Sequence, residues 1–124
     1  MITVLLVGAG GAIGSMLRYG VGVWADRLLS HPVFPYGTVA VNLAGCLLIG
    51  LLAGLVESRQ LFGGGVQSFL IVGLLGGFTT FSAFGYQTLT LFRDGQPGLA
   101  FLNVGLQVIV GVAAAWAGWR LGTA

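Results

Sequence analysis

The stretch GGFTTFSAFG, residues 76–85, lies inside the third long apolar run of the chain. It sets a glycine pair, three hydroxyl side chains and three phenylalanines into ten positions. Gly76 and Gly77 each weaken a helix by roughly 1 kcal/mol relative to alanine, and Phe78, Thr79 and Thr80 add bulk and β-branching. The composition predicts a membrane helix broken near its middle, around residues 76–80. A break frees backbone carbonyls, and in lipid such groups must face protein, an ion or water. The same residues also fit a glycine-lubricated helix crossing, with Thr and Ser hydroxyls bonded back to the preceding turn.

The rest of the chain supplies the membrane. Of 124 residues 56% are hydrophobic and 6% charged, with a mean hydropathy of +0.99. A soluble domain carries roughly a quarter of its residues as charges, so lipid is the solvent here. A spanning helix takes ~20 apolar residues. The length therefore allows a single all-α transmembrane domain of four helices, at about residues 2–24, 36–56, 66–92 and 99–120. Pro35 is placed to open the second helix. ESRQLFGGG, residues 57–65, reads as a turn, and RDGQPG, residues 93–98, as the last loop. Trp24, Tyr36, Trp116 and Trp119 fall near run ends, as an aromatic belt requires. The opening run reads as a retained helix rather than a signal peptide. His31, beside Pro32, reads as a solvated loop residue. Cys46 lies alone in an apolar run and reads as a packing residue. A net charge of +2 is too small for a nucleic-acid partner.

Four spans put Arg59 and Arg120 on one side of the membrane, and Arg27 and Arg93 on the other. Orientation follows the Lys/Arg bias between sides, and two against two gives none. Either a partner or the amino terminus breaks the tie, or copies insert both ways. Small residues recur every four positions, at Gly10 and Gly14, at Cys46, Gly50 and Gly54, and at Gly73 and Gly77. This spacing lets helix backbones approach closely, within a chain or between chains. Four helices enclose little beyond their own side chains, so an oligomer is expected.

Few groups inside the spans can do chemistry. Arg18 can snorkel to the headgroups or stand at the mouth of an anion path. Asn42 can bond a neighbouring helix or offer two N–H donors to an anion. Asn103 and Gln107 lie one turn apart on the fourth helix, with Gly111 and Ala115 continuing their stripe; packing or a pore wall explains them equally. Phe81 and Phe84 share a face, and ring edges turned inward attract an anion. Thr80 and Ser82 add hydrogen-bond donors beside them. No carboxylate lies deep in any span, since Asp26, Glu57 and Asp94 are at ends or in loops. A small multidrug-type proton-coupled exporter, the competing reading, needs one there. Ser82 has no buried His or Lys to activate it, so the chain is not expected to be an enzyme.

GLLGGFTTFSAF resembles the third-helix signature of the CrcB/Fluc fluoride channels. GAIGSMLRY in the first helix and PYGTVAVNLAG in the second agree with that family in order and spacing. The resemblance covers the whole chain. It implies a four-helix subunit that pairs with an inverted copy of itself, a dual-topology antiparallel dimer in the inner membrane of a microbe. It implies passive fluoride export, with Phe81, Phe84, Asn42, Thr80, Ser82 and Arg18 along the fluoride path. It also implies a structural Na+ at the dimer centre, held by the backbone carbonyls of Gly76 and Thr79. The sequence departs from the family at Ala83, Gln87, Gly111 and Ala115, where Thr, Glu and a Ser/Thr polar track are common. These departures keep open a heterodimer with a paralogue, or a non-transporting partner subunit.

Overall fold

The computed structural model describes residues 1–30 and 32–124; the solvated-loop expectation for His31 lies outside the described residues. Four helices are long and apolar enough to cross a membrane: α1 (Ile2–Leu28), α2 (Tyr36–Arg59), α3 (Gly64–Arg93) and α4 (Pro97–Thr123). The chain is an all-helical, multi-pass membrane protein. Its helices outrun the apolar runs that announce them. α1 continues through Asp26 and Arg27, and α2 through Glu57 and Ser58. Hydropathy marks where lipid ends, whereas helix propensity depends on backbone and rotamer freedom. α2 stops at Gln60, which turns left-handed (φ 51°, ψ 37°) and donates its N–H to Val56. α4 starts on Pro97, whose missing N–H has no helical partner to lose.

α3 is broken, but not at its glycines. Gly76–Phe78 stays helical. The extended residues are Thr79 (φ −85°, ψ 160°) and Thr80 (φ −152°, ψ 116°), after which Phe81–Arg93 resumes the helix. β-Branched residues accept extended backbone readily. The glycines serve packing instead. A Cβ on Gly77 would lie 3.0 Å from Gly11 Cα, and one on Gly73 would lie 2.8 Å from the Val7 carbonyl oxygen. α1 and the first arm of α3 thus run backbone against backbone.

α2 and α4 pair the same way. A Cβ on Gly54 would meet the Trp119 carbonyl oxygen at 2.6 Å, and one on Gly122 that of Leu51 at 2.5 Å. In both pairs the contacts advance together along the two helices, so each pair is parallel. The four-residue glycine repeats are used inside the chain. Two stretches widen to π-helix, Ser68–Leu75 in α3 and Leu106–Val110 in α4. Such turns insert a residue into a helix and recur at functional sites.

Candidate functional site

The site is built on the break. In a continuous helix the Thr80 N–H would reach the Gly76 carbonyl, and the Ala83 N–H that of Thr79. Here Thr80 N–H donates to Asn42 Oδ1 at 2.8 Å. Ala83 N–H donates to Thr80 Oγ1 at 3.2 Å, so Thr80 caps the second arm with its own hydroxyl. Asn42 Nδ2 returns to the Thr80 carbonyl at 3.0 Å. One carboxamide therefore clasps both backbone groups of Thr80. Thr79, the other extended residue, bonds its hydroxyl back to the Leu75 carbonyl at 2.9 Å.

Arg18 lies ten residues before the end of α1 rather than near it. Its Nε donates to the Gly77 carbonyl at 3.1 Å. The guanidinium is held on the last turn before the break. Beyond the break, Phe81 and Phe84 stand with ring centroids 5.5 Å apart at 54°. Phe84 is buried, while Phe81 is 82% exposed on the surface of the single chain. The Ser82 hydroxyl lies 3.4 Å from that of Thr80.

Two cavities meet at Thr80. One, about 270 Å³, carries the more polar side chains: Arg18, Tyr19, Asp26, Thr38, Thr80 and Gln87 contribute to its wall. The other, about 350 Å³, is mostly apolar and opens beside Asn42, Gly76, Thr79, Thr80, Phe81 and Phe84. The break thus lies between a cavity that holds Arg18 and Asp26 and an aromatic chamber. The arrangement offers charge, then hydroxyls, then ring edges in sequence, which suits a small anion that is losing its water.

Among the six residues expected along an anion path, five touch one or both cavities. Ser82 lies beside them through Thr80. Gly76 and Thr79 share the wall of the apolar chamber. Two further features were not foreseen. Gln87 lines the cavity that holds Arg18, with its Oε1 buried and without a hydrogen-bond partner. Gln107 accepts from Asn42 Nδ2 and donates its Nε2 to Asn103 Oδ1 at 2.8 Å. Polar side chains one turn apart were the signal in the sequence; which neighbour they served was not.

A family model described as "CrcB-like protein, Camphor Resistance (CrcB)" matches residues 5–119. Curated proteins named fluoride-specific ion channel FluC are similar along nearly the whole chain. That of Agrobacterium fabrum is 48% identical over 98% of this chain and 97% of its own length. That of Paracoccus denitrificans is 48% identical over 97% and 94%. The Flavobacterium psychrophilum protein is 41% identical over 95% and 94%.

Proposed function

The chain belongs to the CrcB-like family, and on that footing we propose that it is a fluoride-selective passive channel that exports fluoride and lessens its toxicity. The observation that carries this reading is Thr80, clasped by Asn42 and common to the walls of the cavity that holds Arg18 and of the aromatic one. Fluoride enters at Arg18, passes the hydroxyls of Thr80 and Ser82, and moves along the edges of Phe81 and Phe84 beside Asn42. Hydroxyl donors replace part of its hydration, and the positive ring edges hold it where no cation stands. The chain moves an ion and makes or breaks no covalent bond.

The working unit is an antiparallel homodimer in the inner membrane, one copy inverted. Two arginines on each side give insertion no preferred direction. The aromatic chamber lies open on one flank of the single chain, with Gly76 and Phe81 exposed there. An inverted copy covers that flank and gives the dimer two fluoride paths. At its centre the carbonyls of Gly76 and Thr79 from each chain hold a structural sodium ion. Both carbonyls lie at the break, where their helical N–H donors are redirected. Oxygen ligands of this kind suit a hard monovalent cation.

Growth in fluoride tests the reading. Expressed in a bacterium stripped of its own fluoride exporter, the chain should restore growth at fluoride levels that arrest the empty-vector strain. Equal arrest of both strains, with the protein present in the membrane, would remove the proposal.

A further inference from the structure

We propose that Gln107 is a positioning residue for the break in α3. Held by Asn103 and Thr88, it sets the orientation of the Asn42 carboxamide and so keeps Thr80 extended. The inference rests on the channel reading only for its effect on flux.

The relay starts at the far end. The Thr88 hydroxyl has one proton, and it goes to the Phe84 carbonyl at 2.7 Å. Toward Asn103 that hydroxyl oxygen can therefore only accept. Asn103 meets it with Nδ2, at 2.9 Å, which leaves Oδ1 as the atom turned to Gln107. Gln107 must answer with Nε2, so its Oε1 is what remains for Asn42. Asn42 in turn presents Nδ2 to Gln107 and Oδ1 to the Thr80 N–H. Each proton direction is decided by the one before it. One hydroxyl on the second arm of α3 thereby orients three amides, on α4 and α2, that close on the break itself.

The relay is well protected. Asn103 is fully buried, and an amide there with the wrong face forward would strand a polar atom in a dry interior. Gln107 lies in the widened stretch Leu106–Val110 of α4. Asn42 then has no donor to spare: one N–H is on Thr80, the other on Gln107, and its oxygen takes the Thr80 N–H. In this chain Asn42 acts on a passing anion through the shape it gives Thr80, not by donating to the anion. Gln107 belongs to the same device.

Purified protein in micelles, with amide hydrogen exchange resolved at Thr80 and Gly73, gives a readout that bulk packing would not move selectively. Gln107→Met keeps length and removes both polar atoms. It should speed exchange at Thr80 about tenfold, the order expected for one lost hydrogen bond, leave Gly73 unchanged, and cut fluoride efflux from liposomes about tenfold. Asn103→Leu should act in the same way. Asn103→Asp, measured at a pH low enough to keep the acid neutral so that it accepts from Gln107 and donates to Thr88, should stay within about twofold of wild type at both readouts. Those two variants decide the matter if Gln107→Met yields no folded protein. Unchanged exchange at Thr80 in Asn103→Leu, or neutral Asn103→Asp behaving like Asn103→Leu, would each overturn the relay, and faster exchange with efflux intact would overturn its part in conduction. A wild-type protein that passes no fluoride would sink the channel reading instead, and the exchange at Thr80 would still decide the relay.

Discussion

Replacing Gly14 by alanine tests whether the seam between α1 and α3 holds the break in register. The new Cβ would lie 2.8 Å from the Phe78 nitrogen and closer still to the Leu74 carbonyl oxygen. Both are backbone atoms and neither can rotate away. Reaching an ordinary contact of 3.4 Å or more moves α1 off α3 by over half an ångström. One turn further along, Arg18 Nε holds the Gly77 carbonyl at 3.1 Å, and the same displacement carries that bond beyond useful range. Overpacking costs about 1–3 kcal/mol, and the lost hydrogen bond adds about 1 kcal/mol. Gly14→Ala should therefore be destabilised by about 2–4 kcal/mol and should conduct poorly even where it is folded. Tryptophan fluorescence during a dodecyl sulfate titration reads the first quantity, and fluoride efflux per folded protein reads the second. Gly8→Ala and Gly20→Ala lie on the same helix with nothing within 4 Å of the added carbon. They should match wild type or exceed it in stability, by up to about 1 kcal/mol, the helix propensity that alanine gains over glycine. Equal stability and flux for Gly14→Ala and Gly8→Ala would refute the seam.

Phe81→Ile and Phe84→Ile keep apolar bulk but lose the positive ring edge. Each should slow efflux strongly, and buried Phe84 should also lose stability, by about 1–2 kcal/mol, whereas Phe81 should not in the monomer. Exchanging sodium for N-methylglucamine throughout purification and reconstitution should abolish both dimerisation and efflux. Thr79→Ser, which keeps the backbone carbonyl and the hydroxyl bonded to Leu75, should restore neither less nor more than wild-type behaviour in sodium. A cysteine in place of Gln96, in a Cys46→Ala background, should react with an impermeant reagent in only a fraction of copies from outside intact cells, the rest requiring permeabilisation. Labelling of all copies from one side would exclude inverted insertion.

How much of this was readable in the residues differs from feature to feature. The four spans and their all-helical class follow from composition, because only helices satisfy so many backbone groups in lipid without closing a barrel. The break was readable in kind and in place, within residues 76–80, but not in which of those residues open. Glycines have two uses, to loosen a helix and to let one approach, and the sequence does not say which applies. Gly77 lies against Gly11, so the strain of opening falls two residues later, on threonines. The four-residue spacing named a face of each helix and left its partner unnamed; the structure pairs α1 with α3 and α2 with α4. The length of α1 was not readable in hydropathy, which closes at Trp24, whereas Asp26 and Arg27 continue the helix; nor was the partner of Arg18, the Gly77 carbonyl. The widened turns left no trace in the apolar pattern. Asn42, Asn103 and Gln107 were visible as polar residues in apolar helices. Their directed chain to Thr80 was not, because hydrogen-bond direction depends on which atoms meet in three dimensions.

The central claim is that this chain alone conducts fluoride past the clasped break. Liposomes reconstituted with it as the sole protein, loaded with equal fluoride and chloride, answer that directly. A fluoride electrode and a chloride electrode follow release after valinomycin clamps the charge imbalance. The account predicts rapid fluoride release with chloride retained, and loss of the fluoride signal in Asn42→Leu, which removes the clasp on Thr80. Chloride leaving as fast as fluoride, neither ion leaving, or full fluoride release in Asn42→Leu would contradict it.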